Sequence, residues 1–201
     1  LSQTRLRPAN YRYVHYDSKD ARGVDVALFF RPDRFKLVGS EPLKLVLRSG
    51  REYIGRDVLC VWGRLEDEMF CFYVCHFLSR RAGISSSEGF RRAGAETVRD
   101  HAASMRRRFP GIKIVIMGDM NDTPSDASLS ELLGARENIT GVEENAYFNP
   151  MWAMMNHGLG TSVHNHNWTM FDNLIVSRNL LPADAGYPDA KGLALRKFAS
   201  K

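Results

Sequence analysis

Apolar and polar residues along this chain repeat on two different periods. Short runs rich in β-branched and aromatic residues predict strands near Val24–Phe30, Leu43–Leu47, Val58–Leu65, Phe70–Phe77, Ile112–Met117 and Phe171–Val176. Asp57–Leu65 and Met69–Phe77, separated by Glu66-Asp67-Glu68, read as a hairpin in a mostly antiparallel sheet. A helical period from Glu88 to Phe109 puts Phe90, Val98, Ala102, Met105 and Phe109 on one apolar stripe. Gly94 fills the gap in that row and leaves room for close packing, and Pro110-Gly111 ends the helix. A second helix is predicted near Asp126–Leu133, with Ser125 as its N-cap and Gly134 beyond its end. The Asn145–Asn167 stretch, rich in Asn, Met, Gly and His, reads as a long loop. Many strands with few helices suit sheets packed face to face with helices outside. No repeat, low-complexity linker or second domain interrupts the pattern.

Composition narrows the class. The 201 residues can bury a substantial single core, and 44% hydrophobic with 25% charged residues is ordinary for a soluble globular protein. No run approaches the roughly 18 apolar residues of a membrane span. No signal peptide opens the chain, which leaves open whether a leader precedes Leu1 and the protein is exported. The net charge of +5 suits a polyanionic partner such as nucleic acid but does not require one. Among the basic clusters, Arg106-Arg107-Arg108 is expected on the solvated end of the long helix. Cys60, Cys71 and Cys75 lack the spacing of a zinc site or a disulfide framework and read as buried small hydrophobes.

The chemistry concentrates where strand Ile112–Met117 stops at Gly118-Asp119-Met120-Asn121-Asp122. A carboxylate at a strand end can bind a divalent cation or hold and deprotonate an attacking water; the same residues also form ordinary turns. On an extended backbone Asn121 shares a side with Asp119, where its amide can serve both a phosphoryl oxygen and a metal or water. Asp122 then faces away and caps the turn. His76 ends the strand before it. In an apolar run, a lone His is more often a hydrogen-bonded core residue than a catalyst. Ser79 and Arg80 follow at a spacing suited to gripping phosphate, the Arg through paired donors. Trp168 reads as a packing residue, while Arg22 and Asp25 could reach the rim of the site.

Four segments together resemble the endonuclease/exonuclease/phosphatase superfamily, the group that contains deoxyribonuclease I. They are Gly118-Asp119-Met120-Asn121, the Arg22–Asp33 strand and turn, Val74-Cys75-His76-Phe77-Leu78-Ser79-Arg80, and Trp168-Thr169-Met170-Phe171-Asp172-Asn173-Leu174-Ile175-Val176-Ser177. The resemblance runs from about Tyr11 to about Ser177. It implies a four-layer α/β/β/α sandwich of two mostly antiparallel sheets with outer helices, and a catalytic set of His76, Asp119, Asn121 and Asp172. Asp119 and Asn121 would hold the metal, Mg2+ first, with Mn2+ and Ca2+ open. Ser79, Arg80 and Asn121 would hold the substrate phosphate. Asp172 would orient a His belonging to a Ser-Asp-His segment. Neither that segment nor the family's upstream Asn and Glu is found here, and His164 or His166 is a poor substitute. Residues 1–201 are therefore expected to form a single domain, incomplete at both ends. The activity implied is metal-dependent hydrolysis of a phosphodiester or phosphomonoester by activated water, in a monomer. The alternative is a basic module that binds nucleic acid or another polyanion without turnover.

Overall fold

The computed structural model describes residues 7–181, apart from 51, 139–142, 144 and 165. Strands β1 (Arg12–His15) and β2 (Ala27–Phe30) pair antiparallel as a separate ribbon. Then follow β3 (Phe35–Leu43), β4 (Val58–Leu65), β5 (Glu68–His76), helix α1 (Ile84–Arg108) and β6 (Lys113–Asp119). After one π-type turn (Ser128–Leu132) come β7 (Ala135–Arg136), β8 (Tyr147–Phe148), helix α2 (Met151–Asn156), the β9–β10 hairpin (Ser162–His164, Asn167–Thr169) and β11 (Asp172–Ser177). One seven-stranded sheet runs in the order β3-β4-β5-β6-β11-β8-β7. Its pairings are antiparallel except β5–β6 and β7–β8. This is a mixed α/β fold.

The side-chain period of two sorts the sheet into faces. Cys60, Cys71, Tyr73, Cys75, Ile114, Ile116 and Ile175 pack beneath α1 with Ala95, Val98, Ala102 and Met105. The opposite face carries Leu59, Val61, Phe72 and Val74, and the β1–β2 ribbon covers it with Val14, Leu28 and Phe30. Phe35 joins this layer edge-on to both Phe30 and Phe72. Among the described residues the layers are thus helix, large sheet and ribbon. The cover thins toward β6 and β11, where Met117 and Val176 are half-buried and Leu174 is exposed.

Several sequence expectations hold, and others need correction. The β4–β5 hairpin closes on Glu66 and Asp67, both at positive φ (50° and 69°), the conformation of the two-residue turn that matches strand twist. The three cysteines are buried and free. Gly94 does allow close approach: a Cβ there would lie 2.6 Å from the Phe77 ring. The strand expected at Leu43–Leu47 instead lies earlier, in β3. Pro42 is tolerated there because β3 is an edge strand; a bulge lies between Leu37 and Gly39, and Gly39, where a Cβ would lie 2.4 Å from the Trp62 ring, leaves that ring its room. Helix α1 begins one turn before Glu88, at Gly83 (φ 106°), whose carbonyl accepts from both the Ser86 and Ser87 hydroxyls. The second helix shrinks to the π-type turn, and Ser125 does not cap it but bonds to Thr123 Oγ1. Residues 145–167 are not one loop, since they hold β8, α2, β9 and the start of β10. No described helix is long and apolar enough to cross a membrane.

Candidate functional site

The parallel β5–β6 pair sends two strand ends to the same rim. Register places His76 beside Asp119, and the antiparallel β11 places Asp172 on the other side of Asp119. All three belong to the sheet face opposite α1. With strands roughly 4.8 Å apart, the three Cα atoms span about 10 Å. His76 Nε2 lies 3.9 Å from Asp119 Oδ2, and both side chains are about one-third exposed. Gly118 makes the approach possible: its φ of 126° and the Cys75 carbonyl, 2.1 Å from where a Cβ would sit, exclude a side chain one residue before Asp119.

Asn121 joins this group, but not by the alternation expected for an extended chain. Strand β6 ends at Asp119, and Asn121 adopts left-handed backbone (φ 48°), which Asn tolerates. Its backbone N–H donates to Asp119 Oδ1 at 2.8 Å, and its side-chain Nδ2 donates to the Phe77 carbonyl at 3.0 Å. The side chain is thereby locked beside the end of β5, with Oδ1 as its remaining polar atom.

Asp122, expected to face away as a turn cap, is instead the centre of a buried network. Its carboxylate accepts from Arg91 Nε (2.6 Å), Arg80 Nη2 (2.6 Å) and Ser128 Oγ (2.5 Å), and Arg91 is itself only 1% exposed. Burial pushes the Asp122 carboxyl above the usual range, opposed by the Ser128 bond and the two guanidiniums. Asp126 performs the turn role by accepting from Thr123 N–H and hydroxyl. Arg80, expected to grip phosphate, turns its Nε and Nη2 donors into the protein. Nε bonds the Asn121 carbonyl, Nη2 bonds Asp122 and Asp126, and the guanidinium lies 4.9 Å over the Phe171 ring. Ser79 caps the short turn after β5 by accepting from Arg81 N–H.

Asp172 is exposed, and its backbone N–H donates to Thr161 Oγ1 at 3.0 Å, tying β11 to the β9–β10 hairpin. Among the described residues no basic group pairs with it; the His164 side chain lies outside them. Trp168 is not a packing residue: it is 62% exposed on β10, paired in register with Val163.

Sequence reasoning missed Arg56. This buried side chain donates from Nε to the His76 carbonyl (2.9 Å), from Nη2 to the Phe77 carbonyl (3.0 Å) and from Nη1 to Asp20 (3.0 Å). It fixes the His76 carbonyl and shares the Phe77 carbonyl with Asn121. Arg22 braces the other side of Asp20, which brings the 16–25 segment near the rim. Burial first, and the Arg56 charge second, push the His76 imidazole below the usual histidine range, so it is mainly neutral at pH 7. Arg56→Gln should therefore raise the His76 midpoint and Asp20→Asn should lower it, read by following the imidazole ring protons against pH. Shifts of the opposite sign would remove Arg56 from this electrostatic role.

The donors at Asp119 suit a hard divalent cation. Its carboxylate pairs with no Lys or Arg among the described residues, and Asn121 Oδ1 adds a neutral oxygen. A second acidic group, His15, Asp17 and Asp25, brings three ligand atoms within 4.8 Å of one another. Asp17 there is 97% exposed, and Asp25 is held by the Ser18 N–H.

The fold has solved counterparts. The human Nocturnin catalytic domain is 18% identical with a TM-score of 0.61, covering 87% of this chain and 63% of that one. Truncated TDP2 from Caenorhabditis elegans is 15% identical with a TM-score of 0.59, over 86% and 63%. A mannosyl-6-phosphatase from Bacteroides thetaiotaomicron is 16% identical with a TM-score of 0.51, over 83% and 62%. The chain thus spans less than two-thirds of the length of these structures. No curated protein matches it. The Endonuclease/Exonuclease/phosphatase family model matches residues 1–190, nearly the whole sequence, and the chain belongs to that family.

Proposed function

We propose that this protein hydrolyses a phosphate ester with the help of a divalent metal ion, by attack of an activated water. The observation that carries this reading is the line of His76, Asp119 and Asp172 across three neighbouring strands, on one face and at one rim. Asp119 and Asn121 Oδ1 would hold the ion, with Mg2+ the best match to oxygen donors and Mn2+ or Ca2+ acceptable to the same set. The bound ion supplies Lewis acidity and lowers the pKa of a water. Neutral His76 can accept a proton or donate one Nε2–H bond to a phosphoryl oxygen. Asn121, pinned through Nδ2, presents Oδ1 in one orientation. Arg80 serves this group by holding the Asn121 carbonyl, and the Ser79 hydroxyl, half-buried beside it, is a donor for phosphate. Asp172 orients an imidazole when one is offered. We also assign the family's four-layer sandwich to the domain.

The test is hydrolysis of bis(p-nitrophenyl) phosphate and p-nitrophenyl phosphate with Mg2+, Mn2+ or Ca2+, with and without EDTA. Metal-stimulated, chelator-sensitive release of p-nitrophenol is expected. Salt-dependent binding of DNA with no product under any of these ions would favour the binding module instead.

A further inference from the structure

Two arginine clusters border the His76–Asp119 rim, and they differ in charge balance. After β5, the Arg80 and Arg91 guanidiniums share the Asp122 and Asp126 carboxylates, so two positive groups meet two negative ones. On the side of the 16–25 segment, Arg56 and Arg22 share a single carboxylate, Asp20. That cluster keeps a surplus positive charge.

A local turn puts the surplus on Arg22. Gly23, at φ 63°, lets its N–H return to the Asp20 carbonyl at 2.9 Å. The Arg22 N–H donates to Asp20 Oδ1 at 3.0 Å, and its side chain folds back on the same carboxylate with Nε at 3.3 Å and Nη2 at 3.4 Å. These side-chain bonds are long, and the Arg22 side chain is 60% exposed. Arg56 instead reaches Asp20 at 3.0 Å from a side chain that is 1% exposed. The buried pair is therefore Arg56 with Asp20. Arg22 Nη1 makes no hydrogen bond among the described residues.

The same bonds fix where that charge stands. Arg56 also donates to the His76 and Phe77 carbonyls, and the Phe77 carbonyl accepts from Asn121 Nδ2 as well. Arg22 is thus one carboxylate and one guanidinium away from the backbone that carries His76. Its charge acts on the His76 imidazole, beside those of Arg56, Asp119 and Asp20. Of these four, Arg56 and Asp20 cancel inside the protein, and Asp119 would face the metal ion. Arg22 remains to meet charge brought by the substrate. A phosphodiester brings a single negative charge, whereas a phosphomonoester brings about −1.5 to −2 at pH 7. A guanidinium suits phosphoryl oxygens because it offers them paired donors.

We propose that Arg22 binds the second negative charge of a dianionic phosphoryl group, so that the site favours phosphomonoesters over phosphodiesters. This rests on the hydrolytic reading above and narrows its substrate class. Nη1 and the outer N–H of Nη2 donate to two non-bridging oxygens, while Asp20 holds Nε and keeps the guanidinium in place.

The test compares p-nitrophenyl phosphate with bis(p-nitrophenyl) phosphate at alkaline pH with Mg2+, in the full chain and in Arg22→Gln, Arg22→Lys and, on α1, Arg99→Gln. The ratio of the two kcat/KM values is read, because the esters differ in intrinsic reactivity. Arg22→Gln should lower the monoester value about tenfold or more, the loss of a charge-assisted contact, and the diester value by under about threefold. Arg22→Lys keeps the charge and should restore part of the ratio, and Arg99→Gln should leave it unchanged. If Arg22 served only to position His76 through Asp20, both esters would slow alike, and the proposal would fall. Calorimetry with Mg2+ reads the same contact without turnover. Inorganic phosphate, mostly a dianion at this pH, should bind Arg22→Gln about tenfold more weakly, while dimethyl phosphate, a monoanion, binds both proteins equally. Turnover with an unmoved ratio overturns the role of Arg22 and spares the hydrolytic reading. Arg22-dependent phosphate binding without turnover does the reverse. Neither turnover nor Arg22-dependent binding overturns both. Arg22 is exposed and its backbone turn does not need the side chain, so the variants are expected to fold, which melting curves check.

Discussion

Asp119→Asn is expected to lower turnover of a phosphodiester by about 10²–10⁴-fold, the usual loss for a positioned acid–base or metal-binding group, while leaving thermal stability nearly unchanged. The two halves of this expectation have separate causes. Asparagine keeps an oxygen to accept from the Asn121 N–H, which Asp119 Oδ1 now does at 2.8 Å, so the turn after β6 persists. The carboxylate has no guanidinium to strand, since among the described residues its one ion-pair contact is His76, largely uncharged, at 3.9 Å. What the substitution removes is the negative charge that would hold a cation or take a proton. Steady-state kinetics beside a melting curve checks both halves. A variant of full activity removes Asp119 from the chemistry, and a variant that unfolds makes it a structural residue.

Asp122→Ala should behave in the opposite way, with a fall in stability as its main effect. Breaking a buried ion pair from one side costs about 3–5 kcal/mol, because the other charge is left behind uncompensated. Here the group left behind is Arg91, 1% exposed, whose Nη1 and Nη2 would keep only Ser87 Oγ and the Ile84 carbonyl. For a chain of this size the loss corresponds to roughly 6–20 °C in the thermal midpoint. Asp126→Ala removes a partly exposed partner of Arg80 and should cost about 1 kcal/mol or less. Replacing Arg91 and Asp122 together with Met and Leu should recover much of the loss. Thermal or urea unfolding of the four proteins decides it, and an Asp122→Ala variant no worse than Asp126→Ala would end the view of Asp122 as the anchor.

The contrast between these two aspartates shows how far the sequence could be read. Both lie in one five-residue stretch, and the apolar run before it was legible as a strand from its β-branched content. Its end at Gly118-Asp119 was legible from the turn chemistry. The same holds for the hairpin at Glu66-Asp67 and for the apolar stripe of α1. The side assigned to Asn121 was not legible, because the two-residue period holds only while the backbone stays extended, and it stops at Asp119. The burial of Arg91 and Arg56 was not legible, because charged residues are usually exposed. Their burial depends on Asp122 and on the His76 and Phe77 carbonyls, partners brought close only by the fold. Arg80 shows the same effect from the other side: its spacing after His76 suited phosphate, and the fold adds bonds from Nε and Nη2 to Asn121, Asp122 and Asp126 that spacing could not show. Strand β3 stayed hidden because Pro42 and Gly39 look like breakers, a rule that fails on a sheet edge with a bulge.

The parallel pairing of β5 with β6 also sets an order of assembly. A hairpin such as β4–β5 closes locally and can form as soon as its own residues leave the ribosome. His76, however, meets Asp119 only after the entire α1 crossover has been synthesised and laid on the sheet, and Asp172 arrives later still. The residues of the rim are therefore drawn from three points far apart in synthesis, and nascent chains would pass through a long interval in which the scaffold is partly built and the chemistry is absent. On the proposed function, that delay keeps the reactive set apart until the protein around it is in place.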